Sequence, residues 1–348
     1  MTASAITTGV LLGLCVIGGT GRARSAPTTT GTYAEQAPTP VETVAVPQTR
    51  VLIVSGAAGS DEYRDRQKAW RETLATQLTT RLGVPASRLM VLAERAGDGY
   101  QAATAVNLRQ AMAAIRASQT AGDLLLVVLF GHGTFDGVDA KFNLVGPDLT
   151  AHEWRDLLAG LPGRLVFVQT ASASFPFLST IAGPNRIVIT ATDSARQKYD
   201  TVFAEHFVAA FTPEASDADL DTDGRISIWE AFAYASDATR RYYQQRGQLS
   251  VERALLDDSG DGMGRDLVKQ GDDGLLASRV FLDPDPATAS GDPSVTLLIG
   301  RRNTLETELD ELRRKKGFMP EGDYDRELER IVIDIARVSR DIRRRVKS

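Results

Sequence analysis

Leu124-Leu-Leu-Val-Val-Leu-Phe130 runs directly into Gly131-His132-Gly133-Thr134-Phe135-Asp136-Gly137, and the reading of this junction decides the fold. Seven apolar residues without alternation suit a strand buried on both faces of a mainly parallel sheet, since a half-exposed strand would interleave polar positions. The runs at 51–54, 89–92, 165–168 and 187–189 have the same character. Between them, residues 62–82, 103–118, 151–159 and 200–211 have helix length and amphipathic spacing, which makes them crossovers. The expected architecture is a three-layer α/β/α sandwich over residues 49–215.

In such a sheet the loops leaving the carboxyl ends of neighbouring strands converge on one crevice, so polar residues there are the first candidates for chemistry. His132 follows the third strand, and Gln169-Thr170-Ala171-Ser172-Ala173-Ser174 follows the fourth. An imidazole and two hydroxyls thus fall at adjacent strand ends, offering a base and a nucleophile.

These residues resemble the caspase and legumain group of cysteine peptidases, in which one apolar strand ends in His-Gly and a later strand ends in Ala-Cys. His132-Gly133 matches the first element, and Thr170-Ala171-Ser172 stands at the second. Val51-Leu-Ile-Val-Ser-Gly56, Glu62-Tyr63-Arg64 and Gly83-Val84-Pro85 are closer to the legumain branch. The resemblance spans residues 50–211 and implies a caspase-like sandwich with peptide-bond hydrolysis as the parent activity. It also implies that Glu62 lies near the residue that orients the histidine, that Arg64 lines a specificity pocket, and that Asp193-Ser194 forms that pocket's far wall.

Ser172 replaces the nucleophilic cysteine, and the only cysteine, Cys15, lies far upstream. A hydroxyl ionises far less readily than a thiol and needs a strong, well-oriented base. Three readings follow. The cleft binds a peptide or protein ligand without hydrolysing it, as a binding or regulatory module. Alternatively, Ser172 is a nucleophile with His132 as base and the N–H groups of Gly133 and Ser172 as an oxyanion hole. In the third, the hydroxyls only cap the next segment and the domain is a scaffold for the C-terminal helices. Ser174 replaces Ser172 as nucleophile under a two-residue slip. His152 and His206 read as surface or packing residues.

A second chemical signal is Asp219-Leu-Asp-Thr-Asp-Gly-Arg-Ile-Ser-Ile-Trp-Glu230, which meets the EF-hand loop pattern. Asp219, Asp221, Asp223, the Arg225 carbonyl, Ser227 through water and a bidentate Glu230 are expected to surround Ca²⁺. Asp257-Asp-Ser-Gly-Asp-Gly-Met-Gly264 imitates the opening but has Val268 in place of the terminal glutamate, so it reads as a Gly-rich polar loop, with a second, weaker cation site as the alternative. This Gly/Asp-rich extension runs over 216–293, with a short strand expected around 279–282.

The apolar run at 5–19 is short for a membrane span and reads as the core of a signal peptide over 1–26, which places the protein outside the cytoplasm, periplasmic or extracellular. Residues 27–48 are rich in Thr and Pro and read as a tether. Leu298, Leu305, Leu309 and Leu312, then Leu328, Ile331, Ile335, Val338 and Ile342, keep coiled-coil-like spacing, so residues 294–348 are expected to form an antiparallel helical hairpin whose stripe is open to a protein partner. Hydrophobic residues make up 43% of the chain, enough for a sizeable core. The net charge of -5 gives no footing for nucleic acid.

Overall fold

A computed structural model describes residues 48–97, 99–268, 273–284 and 292–346. The expected signal peptide and nearly all of the tether lie outside the described residues. The strands are β1 (Thr49–Ser55), β2 (Leu89–Ala93), β3 (Gln101–Ala102), β4 (Leu124–Phe130), β5 (Gly133–Phe135), β6 (Ala140–Phe142), β7 (Leu149–Thr150), β8 (Arg164–Gln169), β9 (Arg186–Thr190) and β10 (Leu255–Asp257). The helices are α1 (Asp61–Thr80), α2 (Ala105–Ser118), α3 (Ala151–Leu158), α4 (Phe175–Ile181), α5 (Phe203–Ala209), α6 (Ile228–Gln245), α7 (Pro293–Arg314) and α8 (Glu321–Val346).

One sheet has the order β10-β9-β8-β4-β1-β2-β3, with every neighbouring pair parallel except β10 with β9. Both faces are covered, as the unbroken apolar runs require. Val51, Ile53, Val166 and Val168 pack under Leu74 of α1, Phe207 of α5 and Phe232 of α6. Leu52, Val54, Leu165 and Phe167 face Leu108 of α2, Trp154 of α3 and Phe177 of α4. Trp154 meets Phe167 edge-on, and Phe167 stacks on Phe177, so one aromatic column fills the second layer. The domain therefore has the three-layer α/β/α architecture and mainly parallel sheet expected of it.

Local chemistry sets where the crossovers begin. Ser60 and Thr104 accept backbone N–H groups at the starts of α1 and α2, and Thr150 with Glu153 forms a capping box on α3. Three features depart from expectation. Helix α4 starts immediately after Ser174 and is too short to announce itself by periodicity. β10 adds an antiparallel edge whose far side is closed by two hydrogen bonds between Leu256 and Arg265. Around 279–282 there is no strand ladder but a 3-10 turn, Ala277–Arg279, and one bridge from Phe281 to Ser227. Arg225 explains the last departure: its guanidinium lies 3.9 Å over the Phe281 ring and 2.8 Å from Asp283, tying the segment to the acidic loop.

Helices α7 and α8 form the antiparallel hairpin. Val295 and Ile299 meet Ile342 at one end, while Leu309 and Leu312 meet Tyr324 and Ile331 at the other. Each helix thus covers the other's stripe, the face that the sequence alone left open to a partner. Among the described residues no helix is long and apolar enough to cross a membrane.

Phe167→Ala, which hollows the aromatic column, is expected to cost about 3–5 kcal/mol, whereas Val332→Ala on the exposed side of α8 should change stability by less than about 0.5 kcal/mol. Urea unfolding of both variants measures the difference.

Candidate functional site

Parallel pairing of β4 with β8 sets Leu129 beside Gln169, so the loops that follow emerge on one rim. Thr170 secures the second loop by donating both its N–H (3.2 Å) and its hydroxyl (2.6 Å) to the Leu129 carbonyl. Ala173 has left-handed backbone (φ 51) and donates its N–H to Gln197 O, which folds Ser172 over Gly133. A β-carbon at position 133 would lie 2.1 Å from the Ser172 carbonyl oxygen, so only glycine fits there.

Ser172 is buried, and its Oγ donates to Gly133 O at 3.0 Å and accepts from Gly133 N at 3.3 Å. In the small antiparallel sheet, Asn143 N–H bonds His132 O and Asp136 N–H bonds Asp139 O, so the alternation leaves the Gly133 groups facing away from β6. The hydroxyl supplies the partner that a further strand would have supplied.

His132 is partly buried, with Nε2 2.9 Å from Ala58 O and Nδ1 3.4 Å from Asp200 Oδ1. A carbonyl only accepts, so Nε2 carries a proton in this contact. The Tyr63 ring packs edge-on against the imidazole at 4.7 Å. Among the described residues no hydrogen bond joins the His132 ring to Ser172.

The shell around His132 is built from charges. Ala58 N–H donates to Glu94 Oε1 at 3.1 Å, and Arg64 pairs with both Glu94 and Asp61. Burial pushes the Glu94 carboxyl up, yet the Arg64 guanidinium and the Ala58 N–H outweigh it and hold the group below its ordinary value. Asp200 accepts from the Tyr63 hydroxyl, whose pKa this bond raises, and lies 3.8 Å from Arg66.

Several expected placements change. Glu62 is exposed at the start of α1, and the carboxylate facing His132 is Asp200. No spacing rule announces Asp200, because the fold carries it in from 68 positions downstream. Arg64 is engaged by two carboxylates and acts on the Ala58 loop through Glu94 instead of standing free in a pocket. Asp193 and Ser194 do follow β9 on the same rim, where Asp193 pairs with Arg253 at 3.5 Å and Ser194 Oγ accepts Arg196 N–H. Ser174 is buried against Thr192 at 3.0 Å. His152 is exposed on α3, and burial lowers the pKa of His206 on α5. Beside Asp200 lies a cleft of about 700 Å³ lined by Tyr63, Lys198, Tyr199, Asp200, Tyr243, Gln248, Leu249 and Val251.

In the acidic loop, carboxylate oxygens of Asp219, Asp221 and Asp223 lie within 4.8 Å of one another. Asp219 accepts the N–H groups of Asp223 (3.1 Å) and Gly224 (2.9 Å), with Gly224 in the left-handed region (φ 87). Burial above all, with a smaller push from the neighbouring Asp221 and Asp219, holds the Asp223 carboxyl up against the Arg225 N–H that it accepts. This donor set fits a hard cation. Glu230 faces the loop backbone: Oε2 accepts Ser227 N and Oγ, both at 2.8 Å, and Oε1 accepts Leu220 N at 2.8 Å. The 257–264 loop repeats the leading turn, with Asp257 accepting Gly262 N–H at 2.8 Å, while Asp258 in it and Asp273 beyond it are buried and cap backbone N–H groups. Burial pushes Asp273 up to about 6.

Ser172→Ala strands two backbone groups and is expected to cost about 1–3 kcal/mol. Gly133→Ala collides with backbone and should cost at least as much. Urea titration ranks the two; a neutral Gly133→Ala would contradict the contact described.

No family model matches the chain, and no curated protein matches it. Among solved structures it is similar to protein GSU0716 from Geobacter sulfurreducens, with TM-score 0.41 and 14% identity over 61% of this chain and 93% of that one. It is also similar to drICE, a caspase, with TM-score 0.37 and 10% identity over 57% of this chain and 85% of that one.

Proposed function

We propose that the chain is an exported, legumain-like peptidase-fold protein whose cleft binds a peptide or protein ligand without cysteine-peptidase chemistry. The pair of hydrogen bonds between Ser172 Oγ and the Gly133 backbone carries this reading. A general base must reach the proton it removes, at about 2.6–3.2 Å. The Ser172 proton is given to a carbonyl, and the Gly133 N–H, one of the two candidate oxyanion donors, is used by the same hydroxyl. Neither nitrogen of His132 is directed at Ser172, since both face other oxygens. The adjoining cleft offers three tyrosines beside the exposed Leu249 and Val251, with Lys198 and Asp200 at hand, a surface of mixed character suited to an extended peptide.

One observation favours a second reading, a hydrolase using a Ser172-His132 dyad. Asp200 sits on one ring nitrogen of His132, as the orienting carboxylate does in serine triads. In that reading Ser172 rotates off Gly133 and the ring turns toward it.

Incubating the full chain, Ser172→Ala and Ser172→Cys with a mixed peptide library separates the two. The expected result is no turnover by the natural chain and retained peptide binding by Ser172→Ala. Turnover by the natural chain that vanishes in Ser172→Ala would establish the hydrolase instead.

The acidic loop is proposed as a Ca²⁺ site held by Asp219, Asp221 and Asp223, with the Arg225 carbonyl, Ser227 through water, and Glu230 once it leaves its cap. Calorimetric titration with CaCl₂ is expected to show one site, lost in Asp221→Ala. At a hundredfold excess over Kd, binding should stabilise the fold by about 2.7 kcal/mol; no heat and no shift in Tm would remove Ca²⁺ from the picture.

A further inference from the structure

We infer that Glu252 is a positioning residue of the cleft, whose buried carboxylate pins the chain at Val202 and thereby sets where Asp200 meets His132. Glu252 is 3% exposed, and its two oxygens accept the Val202 N–H at 2.8 and 3.1 Å from 50 residues away. The Phe203 N–H and the Tyr243 hydroxyl also reach it. Val202 is the N-cap residue just before α5, which has no side-chain cap of its own, so Glu252, which also takes the Phe203 N–H, provides the partner that the helix start lacks.

Asp200 lies in the irregular stretch between β9 and α5, where no ladder holds it. Two anchors flank it instead. Thr201 donates its hydroxyl to the Thr170 carbonyl, on the loop that leads to Ser172, and Val202 is gripped by Glu252. Release of the second anchor frees the chain two residues from the carboxylate that faces Nδ1 of His132.

This anchor responds to pH. Tyr243 on α6 and Arg66 on α1 face Glu252, and Asp200 lies beyond Tyr243. The adjacent Arg253 points outward, to Asp193 at 3.5 Å and Asp266 at 2.9 Å. Burial, opposed by the N–H donors, holds the Glu252 carboxyl up at about 7 from its ordinary 4.5. An opening that exposes Glu252 returns it to the ordinary value, so between about 4.5 and 7 the closed form keeps a proton that the open form has lost. Raising pH through that window favours opening, and above about 7 the effect levels off. The inference deepens the cleft reading and rests on it for its consequence, but its test needs no ligand.

The chain has three histidines, which makes the His132 ring nitrogens separable by NMR. In the full chain, Glu252→Gln is expected to move the His132 ring resonances and leave those of His152 in place. In the natural chain, Val202 amide protection, corrected for intrinsic exchange, should fall as pH rises from about 4.5 to 7, by up to about tenfold per pH unit, and the slope should vanish in Glu252→Gln. Unchanged His132 resonances in a folded Glu252→Gln, or a flat Val202 profile in the natural chain, would overturn the inference. The natural-chain profile decides alone if the variant does not fold. Displaced His132 resonances in Glu252→Gln and the expected Val202 slope in the natural chain, together with no peptide binding, would sink the cleft reading and leave the role of Glu252 standing.

Discussion

Position 133 has no room for a side chain, because the Ser172 carbonyl crosses directly over it, and the geometry of the rim follows from that crossing. The parallel register of β4 and β8 brings the two loops together, and the left-handed Ala173 presses one onto the other. The outward N–H and C=O of Gly133 face away from β6 and have no strand partner, and leaving such groups unpaired when buried costs about 1–3 kcal/mol. A hydroxyl both donates and accepts, so Ser172 satisfies them with one atom. A thiol is a weak donor and acceptor and would fill that role poorly. A hydroxyl is a weaker nucleophile than a thiol, but it is better suited to hold this loop closed.

His132 is held no less firmly. Arg64, Glu94 and the Ala58 peptide form a relay to one ring nitrogen, while Tyr63, Arg66 and Asp200 surround the other. Each member is fixed by a charge or a backbone group, not by packing alone. Opposite charges at such short range keep their partners ionised and in place, as the depressed Glu94 carboxyl records. A cleft edged by pre-set groups favours binding, because little ordering is left to be done when a ligand arrives.

The acidic segments after α5 use one device twice. In each, the leading aspartate accepts the N–H of a left-handed glycine five residues on, at 2.9 Å for Asp219 and 2.8 Å for Asp257. Their surroundings then separate them. The carboxylates of the first loop converge on one another, whereas Asp258 in the second and Asp273 beyond it are buried and spent on backbone N–H groups.

Apolar runs without alternation were enough to announce a covered parallel sheet, and with it the rim that carries the loops of both His132 and Ser172, because strand direction alone decides which loops share an edge. The helical stripes of α7 and α8 were legible for a related reason: each is a local period. What the tertiary structure decided was every partner drawn from far along the chain. Asp200 took the place near His132 where Glu62 was expected, Glu94 claimed Arg64, and Glu252 reached Val202. Sequence records which residues lie at a strand end but not the direction of their side chains or the acceptor each one meets. Those depend on how distant segments pack, and at this rim packing turned Ser172 toward the Gly133 backbone and both nitrogens of His132 toward other oxygens.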